Sequence, residues 1–102
     1  MRTMNSFEFK EIRGWILRFL YNLLPKFGSA ESVAGMLLKA GYDVTALQVQ
    51  GHFRYLEDKE YVELQEIDLQ EMSISRHLAK LTSKGVDFVE GNLPDDPGIC
   101  RK

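Results

Sequence analysis

The stretch VTALQVQGHFRYLEDKEYVEL, Val44 to Leu64, carries two hydrophobic periods in succession. In its first part Val49, Phe53 and Leu56 recur at intervals of four and three, which puts them on one face of a helix. Thr45 supplies an N-cap hydroxyl and Gln48 follows three positions later, the spacing of a capping box. After Asp58 and Lys59 the period drops to about two. Tyr61, Val62, Leu64 and Ile67 lie among Glu63, Gln65 and Glu66, as in a half-exposed strand.

Upstream, Ser29 offers another N-cap oxygen and Glu31 places a negative charge in the first turn of a second helix. Val33, Met36, Leu37 and Ala40 form its apolar stripe, and Gly41 stands where a helix-ending glycine belongs. Only Gly-Tyr-Asp-Val links it to the capped helix at Thr45, so the pair reads as a helix-turn-helix. Earlier still, Phe9, Ile12, Ile16, Phe19, Leu20, Leu23 and Leu24 mark an amphipathic helix from about Ser6 to Leu24, which Pro25 ends. Downstream, a polar stretch from Asp68 to Ser73 precedes a return strand from Ser75 to Leu81, with His77, Ala79 and Leu81 on one side. Thr82 caps a last helix in TSKGVDFVEG, with Val86 and Val89 or Phe88 turned inward and Gly85 weakening it.

The predicted fold is mainly α with a small β-hairpin (α+β): a three-helix core, a two-stranded wing and a C-terminal helix. Residues 1–91 form one domain. The segment 92–102, NLPDDPGICRK, is rich in helix breakers and is expected to be a flexible tail.

The order of elements resembles the winged helix-turn-helix superfamily. Val44 to Leu64 looks like the third helix and first wing strand of MarR-, PadR- and ArsR-like regulators, and LTSKGVDFVEG, Leu81 to Gly91, is similar to the Leu-Thr-x-x-Gly motif that closes their wing. A closer resemblance is to small winged-helix proteins of Mu-like bacteriophages and prophages, whose "LTxKGxDxxEG…DPGI" pattern is matched from Leu81 to Ile99. The resemblance covers roughly the whole chain and implies a transcriptional regulator. One position departs: the turn glycine common in the regulators is Glu60 here, so a residue with a Cβ takes that turn at a cost or the turn differs.

Several function classes find no support. His52 and His77 have no metal-binding spacing, the serines lack a nucleophile-elbow context, and no glycine-rich loop resembles a phosphate cradle. Glu63, Glu66, Asp68 and Glu71 lack calcium-loop spacing and read as a solvated acidic wing. Cys100 has no cysteine partner. The expectation is therefore a non-enzyme without catalytic or metal residues and without a cofactor. The most apolar stretch, WILRFLYNLL, is short for a bilayer and contains Arg18, and the N-terminus has no uninterrupted apolar run, so a cytoplasmic protein without membrane association is expected.

Double-stranded DNA is the expected partner. With Val49, Phe53 and Leu56 inward, the opposite helix face carries Leu47, Gln48, Gly51, Arg54 and Asp58, with Gln50 on the flank. Gln48 and Gln50 suit adenine edges, Arg54 suits guanine or phosphate, and Thr45 at the helix start suits a phosphate. Arg76 and Lys80 are candidates for backbone phosphates. Charge opposes the wing: residues 1–59 hold eight Lys/Arg and six Asp/Glu, residues 60–102 hold five and nine, and Glu60 to Glu71 contains five acids and no base. DNA binding is thus expected to be weak, dimer-dependent or independent of the wing tip. Phe7, Phe9 and Trp15 on the first helix mark a homodimer or partner surface. The alternative is a winged-helix protein-interaction module that does not bind DNA, favoured by the acidic wing.

Overall fold

The computed structural model describes residues 6–101. Helix α1 runs Ser6–Leu23, the short strand β1 is Gly28–Ser29, helix α2 is Ala30–Lys39 and helix α3 is Ala46–Asp58. Strand β2, Val62–Leu69, is joined through a 3₁₀ turn at Gln70–Met72 to strand β3, Ile74–Leu81, and helix α4 is Ser83–Val89.

Local chemistry fixes the helix starts. The Ser29 hydroxyl accepts from the Ser32 N–H, and Thr82 does the same for Gly85, each at 3.1 Å. At α3 the capping box is complete: Gln48 N–H donates to Thr45 Oγ1 at 3.1 Å, and Thr45 N–H donates to Gln48 Oε1 at 2.9 Å. Gly41 has φ +98, the left-handed value that ends α2 before the tight turn. The stripe of α2 is narrower than its sequence indicates: Val33 and Leu37 are buried, Met36 is half-buried and Ala40 is exposed, because the helix ends there.

The hairpin pairs in antiparallel register from Val62↔Leu81 to Leu69↔Ile74. The sheet has a third strand that alternation did not reveal, since β1 pairs with β3 through Gly28↔Ala79 and Ser29↔Leu78, giving the order β1-β3-β2. Ile12, Ile16 and Leu20 of α1, Val33 and Leu37 of α2, Val49, Phe53 and Leu56 of α3, and Ala79 and Leu81 of β3 close over one core. Phe88 is the inward residue of α4, while Val86 and Val89 are half-buried.

Two features complete the packing. Glu60 does take the turn between α3 and β2, with φ +68, and its carbonyl accepts the Thr82 hydroxyl at 2.6 Å. Thr82 therefore caps α4 and also fastens its start to the turn. The segment after residue 91 is not free. Ile99 is buried in the core, Cys100 N–H donates to the Lys10 carbonyl at 3.0 Å, and Arg13 donates to the Gly98 carbonyl at 3.2 Å. Asp96 accepts from Tyr61 Oη at 3.0 Å and from the Gly98 N–H at 2.8 Å, with Lys59 Nζ at 3.5 Å. The expected flexible tail is corrected on this ground: the segment straps α1 to the turn between α3 and β2, and the packed unit extends past residue 91.

Candidate nucleic-acid interface

The outward face of α3 begins at its cap. Thr45, Leu47, Gln48, Gly51 and Arg54 are exposed, and Leu47 keeps 74% of its surface in solvent. Val49, His52, Phe53 and Leu56 occupy the inward face, so the helix is rigidly seated behind the exposed row. The capping box engages Thr45 Oγ1 and Gln48 Oε1 as acceptors, which leaves the Thr45 hydroxyl hydrogen and the Gln48 amide NH₂ as outward donors. Gln50 sits apart from this row. It is half-buried and lines a crevice between α3 and the hairpin with Phe53, Arg54, Leu64 and His77.

The hairpin brings acids to the cations. Arg54 Nη2 lies 3.9 Å from Glu66 Oε1 of β2, and the same oxygen lies 3.5 Å from His77 Nδ1 of β3. Lys80 Nζ lies 4.0 Å from Glu63 Oε1, its cross-strand neighbour, and 5.7 Å from the centre of the Phe27 ring. Arg76 is exposed near the hairpin tip, beside Ser29, Glu31 and Ser32 at the start of α2. The six candidate residues thus fall into three places: the α3 row with Thr45, Gln48 and Arg54, the crevice with Gln50, and β3 with Arg76 and Lys80. Sequence reasoning took Glu63 and Glu66 only as solvated charge; the cross-strand register that pairs them was the missing signal. At the tip Leu69 is 48% and Met72 67% exposed.

On α1, Phe7 is 60% exposed and Phe9 lies edge-on to His52 with ring centres 5.5 Å apart. Trp15 is half-buried, stacked on Phe19 at 5.6 Å, and packs against the core. The three aromatics therefore differ: Phe7 faces solvent, Phe9 borders the His52 site and Trp15 is part of the packing. His52 is buried, and burial together with the Arg13 guanidinium lowers its pKa from 6.5 to about 4. Burial first, and then Asp96, push the Tyr61 phenol up to about 12. At Asp96 burial works to raise the pKa, but the Gly98 N–H, Tyr61 and Lys59 outweigh it and hold the carboxyl below its ordinary value. Among the described residues no group of three or more His, Cys, Asp or Glu is placed to hold a metal ion, and no helix is long and apolar enough to cross a membrane.

No family model matches this chain, and no curated protein does. Solved structures do. The A103V mutant of MepR from a multidrug-resistant S. aureus clinical isolate superposes with a TM-score of 0.63 at 22% identity, covering 84% of this chain and 56% of that one. PadR of Bacillus subtilis, solved in complex with operator DNA, gives a TM-score of 0.56 at 14% identity, covering 80% of this chain and 49% of that one. The fold is a winged helix-turn-helix. In this winged helix α2 and α3 form the helix-turn-helix and the β2–β3 hairpin is the wing. The chain spans about half the length of the solved chains it resembles, 56% and 49%.

Proposed function

We propose that this winged helix binds double-stranded DNA as a transcriptional regulator of the phage or prophage type, without catalytic activity and without a cofactor. The observation that carries the reading is the exposed row Thr45, Leu47, Gln48, Gly51 and Arg54 on a helix whose other face is locked in the core. A helix-turn-helix presents this second helix to the major groove. PadR, which shares the fold, was solved on its operator. Thr45 would donate to a phosphate, Gln48 and Gln50 would read adenine edges, and Arg54 would take guanine or phosphate. Arg76 and Lys80 would rest on the backbone. The protein acts as a homodimer in this reading, with Phe7 and Phe9 at the contact and Trp15 supporting it from the packed side, and it works in the cytoplasm.

The first test is an amide-shift titration of the labelled protein with a generic duplex at low salt. Non-specific affinities of such domains are around 10⁻⁴ to 10⁻⁶ M and fall steeply with salt. Gln48→Glu is the sharper variant than Gln48→Ala. It keeps the capping box while placing a negative charge toward the phosphates. Salt-sensitive shifts on residues 45–54 that disappear in Gln48→Glu are the expected result. Their absence would end the regulator reading and favour a protein-interaction module, for which the solvent-exposed Leu69 and Met72 on the acidic wing tip are the supporting observation.

A further inference from the structure

The row on α3 contains one guanidinium, and the wing holds it. Arg54 and Glu66 come from different elements, and both side chains are largely in solvent, 67% and 62% exposed, so their pairing at 3.9 Å is not forced by packing. Glu66 is placed by the hairpin register, which sets it opposite His77, and His77 Nδ1 lies on the same carboxylate oxygen at 3.5 Å. The hairpin register therefore places the carboxylate on the strand beside the cation, within reach of it. Of the two cations proposed on β3, Lys80 likewise meets an acid of β2, Glu63, at 4.0 Å.

We infer that Glu66 is a built-in counter-ion that occupies the guanidinium of Arg54 and must be displaced before Arg54 reaches a nucleic-acid phosphate or base. The inference rests on the DNA-binding reading and gives it a regulatory element. An arginine that arrives at DNA already paired exchanges one anion for another and gains less than a free one. A phosphate or guanine edge that holds Arg54 in a bidentate contact repays the exchange, whereas a loosely placed phosphate does not. The wing carboxylate thus lowers non-specific binding more than site-specific binding. This accounts for a strand so acidic lying beside a helix shaped for DNA.

The experiment is a two-by-two comparison of the wild type, Glu66→Gln, Arg54→Gln and the double variant, titrated with a labelled generic duplex at low salt. Both positions are exposed, so the variants should keep the fold, which the amide spectrum of each checks. Glu66→Gln is expected to tighten binding about fivefold in the wild-type background, the upper range for an exposed ion pair, and by less than about twofold when Arg54 is already Gln. An equal gain in both backgrounds means that Glu66 acts only through its general charge and overturns the inference. A wild type that binds in a salt-sensitive way and does not tighten in Glu66→Gln overturns it too, and leaves the DNA reading standing. If neither the wild type nor Glu66→Gln binds the duplex, both fall together.

Discussion

The guanidinium carbon of Arg13 lies 3.7 Å from the centre of the Tyr55 ring, while its Nε donates to His52 Nδ1 at 3.3 Å and its Nη1 to the Gly98 carbonyl at 3.2 Å. One side chain of α1 thereby joins α3 and the C-terminal strap. Replacing it removes a close cation–π contact and two hydrogen bonds together, so Arg13→Ala is expected to cost about 2 kcal/mol. Arg13→Lys, which lacks the planar fork, should recover only part of this. Urea unfolding of the three proteins checks it, and an Arg13→Ala midpoint equal to wild type would refute it.

His52 makes stability depend on pH. Its pKa is lowered from 6.5 to about 4 in the fold, so the unfolded chain takes up a proton near pH 6.5 that the folded chain resists until about pH 4. The contribution is complete above the unfolded value and is lost as pH falls through that window, about 2 kcal/mol by roughly pH 5. In His52→Gln the loss between about pH 7 and pH 5 should be smaller than in the wild type by that amount. Parallel losses in the two proteins would show that carboxylates alone set the acid sensitivity.

Ile99 is buried to 5% exposure beyond two prolines that mark the segment as a tail. Ile99→Ala should lower stability by about 2–3 kcal/mol, as at a core site. A change within a few tenths of a kcal/mol is what a loose tail would give.

Glu60 adopts φ +68, a conformation that glycine takes without steric cost. The contact the turn makes, Thr82 Oγ1 to the Glu60 carbonyl, involves backbone on the Glu60 side and survives substitution. Glu60→Gly should therefore raise stability by about 1 kcal/mol and Tm by roughly 4–8 °C. A fall in Tm would place the value of Glu60 in its side chain instead.

Gly85 has the opposite logic. By helix propensity, alanine would gain about 1 kcal/mol in α4. A Cβ built at this position, however, falls on the backbone carbonyl oxygen of Tyr61, which cannot turn aside as a flexible side chain could. Gly85→Ala should thus destabilise by about 2 kcal/mol or more, read by thermal unfolding, despite the favourable propensity.

The contrast between these two glycine-like positions shows what the sequence discloses. The caps at Ser29, Thr45 and Thr82 were legible because each bond spans three residues. The hairpin and the inward face of α3 were legible from period, the stripe of α2 only in part, since Met36 and Ala40 fall outside its buried residues. Strand β1 was not, since Gly28 and Ser29 are too few to alternate and owe their pairing to Ala79 and Leu78. The strap was missed because its partners are remote: Arg13 meets Gly98 across 85 positions. Gly85 looked like a weakness in a helix because the carbonyl that excludes a side chain belongs to Tyr61. At the candidate interface, the residue types of the α3 row were readable, but Gln48's share in the cap and Arg54's counter-ion depend on geometry and strand register.

Strand β2 has a further consequence in crowded solution. It is an outer strand of the sheet, eight residues long, with no further strand on its free side among the described residues. An edge of that length is a template on which another chain's strand can grow, the first step toward fibres and precipitates. Glu63, Glu66 and Asp68 set like charges along it, so two such edges repel as they approach. Two of these carboxylates, Glu63 and Glu66, are the ones paired with Lys80 and Arg54, so a chain stripped of them to free those cations would lose the repulsion that keeps the molecules apart and would be more prone to clump.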